Sequence, residues 1–420
     1  MTEQQNNQMY DFAKDSYAEY GVDVDSALEQ MQGLEISIHC WQGDDVAGFE
    51  RTGPLTGGIM ATGNYPGKAT TPDQLRSDFA KAYSLIPGTH RCNLHAMYLE
   101  NAGKQVDRDE IEPIHFDGWV AWAKELGIKL DFNPTFFSHP KSDDGYTLSH
   151  RDPTVRELWI EHGKRCRAIA AYMGKELGSA CMDNFWLPDG AKDQPADRLI
   201  HRELLVESLD KVFEASYDKN HTLDAVESKL FGIGSESYVV GSHEFYLSYA
   251  QSRKLLLCMD AGHYHPTESI AEKISALLPF FPHLLLHVSR PVRWDSDHVV
   301  LFDDETRAIT REVARAGAWN RTSIALDFFD ASINRIGAWV IGTRAALKSA
   351  LFALLEPRGL MLEAEEHGRL ADRLAISEEA KTLPFGAVWD EFCRRNDVPV
   401  GASWLEEVNR YEADVLSKRT

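Results

Sequence analysis

Basic charge is scarce in this 420-residue sequence: 44 Lys and Arg stand against 65 Asp and Glu, a formal net charge of −21. A phosphate backbone is held by a surplus of Lys and Arg, so no nucleic acid partner is expected. Long apolar runs are missing too. None approaches the roughly 20 residues that span a bilayer, so no membrane partner is expected either. The N-terminal MTEQQNNQMYDFAKDSYAEY has neither a basic n-region nor an apolar h-region. That excludes a signal peptide and makes the cytoplasm the expected compartment. Cysteine pairing is absent: Cys40, Cys92, Cys166, Cys181, Cys258 and Cys393 are scattered with no C-x-x-C spacing. Reduced, buried thiols fit better than disulfides or a zinc knuckle. There is no G-x-G-x-x-G phosphate loop, no low-complexity segment and no linker. What remains, 43% hydrophobic and 26% charged, suffices for a sizeable core.

The chain is organised around residues 255–298, where two apolar runs, LLLCMD and HLLLHVS, each meet metal-ligand residues. Eight such short runs follow an N-terminal helical segment, residues 1–33. They are 34–41, 91–99, 129–137, 179–187, 229–236, 255–260, 283–289 and 322–329, with amphipathic helical segments between most of them. Many of those helices end in Gly, an ordinary C-cap. Strand and helix alternating eight times predicts parallel βαβ units closing into a (β/α)8 TIM barrel over residues 34–335. A doubly wound open sheet is the structural alternative. Residues 336–420 read as a C-terminal helical extension suited to oligomerisation. The Gly-rich stretch 42–71 follows the first run and, in a barrel, hangs over the mouth as a lid.

In a barrel, polar residues at strand C-termini point into one mouth. The inventory there is His95; Asp183, Asn184 and Trp186; Glu227 and Lys229, placed at the start of the fifth strand; Asp260 and His263; His287, Asp295 and Asp297; and Asp327. Each has an ordinary explanation alone: Asp260 as a helix N-cap, Asp295 and Asp297 as a solvated turn, Trp186 as core. Together, Glu227, Asp260, Asp295, Asp297 and Asp327 with two imidazoles are too many for one cation and suit two divalent ions. Five negative charges against four positive, with Lys229 adjacent, approach the neutrality a partly dry pocket requires. Oxygen-rich sites with one or two His favour Mn²⁺ or Mg²⁺, with Co²⁺ possible, over zinc.

The segments NLHAMYLE (93–100), DNFWLPDG (183–190), ESKLFGIGSES (227–237), MDAGHYHP (259–266), VSRPVRWDSDHV (288–299), LDFFDASINR (326–335) and LPFGAVWDEF (383–392) resemble those of L-rhamnose isomerases. The resemblance covers almost the whole chain. It implies a (β/α)8 barrel, a homotetramer, and two Mn²⁺ per subunit interconverting L-rhamnose and L-rhamnulose. Glu227, Asp260, His287 and Asp327 match the ligands of a structural metal; His263, Asp295 and Asp297 match those of a catalytic one. Lys229, Asp327 and His263 are the implied catalytic residues. His95, Trp186 and Lys229 are the implied substrate-binding residues.

The ligand set alone suits an aldose–ketose isomerisation by hydride shift from C2 to C1, because the general base of an enediol route would need a carboxylate free of metal. A sister specificity for another aldose is the nearest alternative. A metal-dependent hydrolase or endonuclease on the same barrel, or a non-catalytic sugar binder, fits the charge and the ligand count less well.

Overall fold

The computed structural model describes residues 2–50, 61–230, 237–293 and 295–419. Eight parallel strands close a barrel: β1 (Ile36–His39), β2 (Arg91–His95), β3 (Lys129–Asn133), β4 (Cys181–Trp186), β5 (Thr222–Glu227), β6 (Leu256–Asp260), β7 (Leu284–Val288) and β8 (Thr322–Leu326). Each pairs with its sequence neighbours, and β1 pairs with β8. This is the TIM barrel the alternation predicts, and the open sheet is ruled out.

One helix follows each strand: Pro72–Tyr83, Asp117–Leu126, Pro153–Leu177, Leu199–Val212, His243–Arg253, Ala271–Leu277, Asp304–Arg315 and Arg335–Leu354. Local chemistry sets their ends. Asp152 accepts from Thr154 N at the start of Pro153–Leu177, and Gly178 closes that helix at φ +63°. Arg335–Leu354 is buried along most of its length and packs against both Asp304–Arg315 and Pro72–Tyr83, which completes the ring. Further helices follow at Arg358–Glu366, Leu370–Glu379, Phe385–Arg395 and Trp404–Asp414. No single described helix is long and apolar enough to cross a membrane.

Strand alternation sorts the side chains. Inside the barrel, Met182, Ala225, Leu256, Cys258, Leu285 and Ala325 form a separate apolar cluster. Below it, Arg91 forks onto Asp131, which also accepts from the Ser37 hydroxyl at 2.6 Å. Above it, one or two residues further along the same strands, lie Asn184, Glu227, Asp260, His287 and Asp327. The barrel is therefore plugged, and its polar end is the C-terminal mouth.

One expectation needs correction, and a second, which holds, gains detail. The fifth strand is Thr222–Glu227, not 229–236; Lys229 and Leu230 have no strand structure, and 231–236 lie outside the described residues. The reason is that TLDAVE carries three acidic or hydroxyl residues in six, while KLFGIG is the more apolar run. Glu227 thus ends the strand instead of opening it, and Lys229 stands just beyond. The N-terminal segment is also two helices, Glu3–Ala18 and Val24–Gln32, the second capped by Asp23 accepting from Ser26 N. The centre of the expected lid, 51–60, lies outside the described residues. Its flanks are anchored: Arg335 forks onto Asp45, and Tyr65 N donates to Ala331 O at 2.7 Å.

Candidate active site

Register places the chemistry. Trp186 pairs with Glu227 across β4–β5, and Asp260 with His287 across β6–β7, so four strand ends meet at one level. His287 Nδ1 is the focus: it lies 3.2 Å from Glu227 Oε2, 3.8 Å from Asp260 Oδ2 and 3.7 Å from Asp327 Oδ2. Beside it, His263 Nδ1 lies 3.2 Å from Glu227 Oε1, and its Nε2 lies 3.1 Å from Asp295 Oδ2. Asp297 lines the same cavity, its backbone in the left-handed region at φ +42°, which Asp adopts more readily than most non-glycine residues. The cavity is walled by Trp41, Val46, Phe137, Trp186 and Phe329, with His95 and Asn133 among them.

Most of this polar set is buried and short of partners. Among the described residues, His287 Nδ1 and Nε2, His263 Nδ1, Asp260 Oδ2 and Asp295 Oδ1 have no hydrogen bond. Burying unpaired carboxylate and imidazole atoms costs several kcal/mol unless a cation joins them. Ligand atoms of Asp260, His287 and Asp327 come within 4.8 Å of one another, as do those of Glu227, Asp260 and His263. The donor set therefore fits divalent ions.

Electrostatics point the same way. Burial pushes the Asp260 carboxyl up to about 8, with Glu227, Asp295 and Asp327 adding and His263 opposing. Asp297 is raised by burial and by Asp295 and Asp327, and Asp327 by burial despite His287. Burial also lifts Glu227, but the two imidazoles outweigh it and hold that carboxyl below its usual range. His287 is displaced to about 9: desolvation lowers it, and Glu227 more than compensates. Divalent cations would neutralise this concentration of buried carboxylates.

Neighbours outside this set fix its orientation. Trp41 Nε1 donates to Asp327 Oδ1 at 2.9 Å, and Asn184 Nδ2 donates to Glu227 Oε2. Gly262 N donates to Asp260 Oδ1 at 2.6 Å, and a Cβ on Gly262 would stand 2.5 Å from Asp295 Oδ1. Lys229 Nζ donates to Pro188 O at 3.0 Å and lies 6.0 Å from the Trp186 ring centroid. The Trp186 ring in turn stacks on His263 at 6.4 Å. His95 is held at about 3 by burial and by Arg108, so the ring is neutral, its Nδ1 3.2 Å from Thr135 Oγ1.

Ten of the expected site residues (His95, Asn184, Trp186, Glu227, His263, His287, Asp295, Asp297 and Asp327 on the cavity wall, with Asp260 beneath) come together, and Lys229 lies over the Trp186 ring. Asp183 does not join them. Alternation turns it away from Asn184, out to the helical layer, where burial and the nearby Asp224 raise its carboxyl. Trp41 and Asn184's role as an anchor are what sequence reading missed. The signal for Trp41 was its position two residues past the inward His39 on β1.

The family model described as L-rhamnose isomerase (RhaA) matches residues 4–419. The chain belongs to the L-rhamnose isomerase family. It is 58% identical over 412 residues to the L-rhamnose isomerase of Rhodopirellula baltica, covering 98% of this chain and 96% of that one. It is 59% identical over 413 residues to that of Mannheimia succiniciproducens, covering 98% and 99%. Among solved structures, an L-ribulose 3-epimerase aligns at 12% identity and TM-score 0.49, covering 79% of this chain and 97% of that one. Membership in the L-rhamnose isomerase family rests on the sequence relatives, not on that distant likeness.

Proposed function

We propose that this chain is an aldose–ketose isomerase acting on L-rhamnose and L-rhamnulose, with two divalent ions, Mn²⁺ foremost, at the barrel mouth. The observation that carries the reading is the convergence of Glu227, Asp260 and Asp327 on His287, beside His263 and Asp295, in a chain that matches L-rhamnose isomerases over nearly its full length. Glu227, Asp260, His287 and Asp327 are assigned to one ion, and His263, Asp295 and Asp297 to the other. Oxygen-dominated ligation without a thiolate suits Mn²⁺, Mg²⁺ or Co²⁺. Bound there, the ions supply Lewis acidity toward the carbonyl and hydroxyl oxygens of an open-chain sugar.

The remaining chemistry belongs to the chain. The Lys229 ammonium stabilises negative charge developing on O1. Trp186, Phe137 and Trp41 exclude water from the reacting carbons. His95, neutral, offers its ring to a sugar hydroxyl. The carboxylates of the pocket are all assigned as ligands, so no free carboxylate is left beside C2 to act as the base of an enediol route. The hydrogen therefore passes directly from C2 to C1 while a proton moves from O2 to O1. Run in D₂O, the ketose should carry almost no deuterium at C1 by NMR; stoichiometric incorporation would establish the enediol route instead. A panel of aldoses tests specificity, since one methyl contact is worth only about 1–3 kcal/mol and selectivity is relative. Faster turnover of another aldose would keep the mechanism and reassign the substrate.

We place the enzyme in the cytoplasm as a homotetramer. Within the expected extension 336–420, the part beyond the ring helix Arg335–Leu354 supplies the candidate contact surface: helix Leu370–Glu379 has no buried residue, and its Leu370 and Leu374 are about 60% exposed.

A further inference from the structure

Lys229 follows β5 and is 3% exposed, yet nothing in its own backbone dictates where a four-carbon stem sends its charge. The 3.0 Å bond to Pro188 O supplies a direction, so whatever fixes that carbonyl helps aim the ammonium. The next residue is Asp189, 1% exposed and absent from the cavity wall. Its carboxylate accepts four hydrogen bonds from the loop after β3. Thr147 N and Ser149 N donate at 2.9 and 3.0 Å, and the two hydroxyls donate at 2.5 Å.

The backbone around Asp189 joins a third loop to the first two. Val240 N donates to Asp189 O at 3.0 Å, and Lys229 N donates to Gly241 O at 3.0 Å. Gly190–Ala191 pairs antiparallel with Tyr238–Val239, and Gly190 N donates to Gly145 O at 2.9 Å. Gly145 has φ +89°, and a Cβ there would stand 2.6 Å from Gly190 O, so the approach leaves no slack. We propose that Asp189 is a positioning residue: by stapling the loops after β3, β4 and β5 it sets the Pro188 carbonyl and thereby aims the Lys229 ammonium at the reacting oxygen.

A carboxylate is the group this place needs. Four donors face it, three at Oδ2 and the Thr147 hydroxyl at Oδ1; a carboxylate accepts from all four with a full negative charge, whereas a carboxamide loses that charge and turns its N–H₂ toward the Thr147 hydroxyl. The proposal rests on the role given to Lys229 above, and the experiment separates the two. Asp189→Asn, Lys229→Met and the double variant are compared as Mn²⁺-loaded enzyme on L-rhamnose. Separately, the rate at which an amine-acylating reagent labels Lys229 in substrate-free enzyme is read by peptide mass spectrometry.

Asp189→Asn should lower kcat by about 10- to 100-fold, the scale of a misaimed catalytic group, with KM nearly unchanged. Lys229 should label several-fold faster, and most of the kcat loss should vanish in the Lys229→Met background. An equal kcat loss in both backgrounds would mean that Asp189 acts on structure alone, and would overturn the proposal. If Lys229→Met keeps full kcat, the role of Lys229 fails; the labelling rate then decides whether Asp189 aims it, and an unchanged rate overturns that. Should Asp189→Asn not fold, Thr147→Val removes one hydroxyl donor and should move the same readings in the same direction by less.

Discussion

Gly262 shows how one missing side chain shapes the site. Its amide bonds to Asp260 Oδ1, and a Cβ would press on Asp295 Oδ1, which cannot retreat without leaving His263. Gly262→Ala should therefore weaken binding of the second ion by roughly 10- to 100-fold, as for other neighbours that orient metal ligands, with little change in melting temperature. Titration calorimetry with Mn²⁺ checks this; two unaltered sites would contradict it. The clustered acids and imidazoles of the site were legible because such residues at strand ends have no packing role. Trp41 was not, since a Trp after a buried strand is ordinarily core; only its bond to Asp327 reveals the task. Asp183 misled for the converse reason, being an acid at a strand end that alternation turns outward.

At the scale of elements, the eightfold alternation was readable because the barrel strands are largely buried and several of the helices carry a Gly or cap signal, such as Thr71, Gly127, Asp152, Gly178 and Asp303. β5 was misplaced by several residues because its inward positions include Glu227, so apolarity peaks after the strand and not within it. Helix Pro153–Leu177 makes a testable point about packing against propensity. Gly174→Ala would gain about 1 kcal/mol from helix propensity alone. Its Cβ, however, would meet His221 O at 1.8 Å, a backbone atom just before β5. The substitution should destabilise the protein, and a raised melting temperature would contradict this.

His90 ties two elements together and gives a pH prediction. Ile36 N of β1 donates to His90 Nδ1 at 3.3 Å, and Nε2 lies 2.9 Å from Pro87 O. Burial holds the ring at about 4, below the ordinary 6.5, so the fold requires it neutral. The unfolded chain binds the extra proton first, so this contribution is complete above pH 6.5 and is lost as pH falls through 4. It amounts to on the order of 3 kcal/mol. Urea unfolding at pH 7 and pH 4.5 should show a smaller acid-induced drop for His90→Gln than for the parent; equal drops would contradict the assignment.

Across the whole molecule, a formal charge of −21 and a plugged barrel leave one mouth for chemistry. Helix Leu370–Glu379 packs against helix Arg358–Glu366 with its leucines uncovered. Leu374→Lys should dissociate the proposed tetramer, read by light scattering after size exclusion; a parent chain already monomeric would contradict that assembly. Metal-dependent isomerisation is measured on chelator-stripped protein, to which Mn²⁺ is returned while ketose formation from L-rhamnose is followed. Turnover should be absent in the stripped protein and restored by the ion, saturating as two ions bind per chain. Turnover that survives complete removal of metal, or none with both ions bound, would contradict the account.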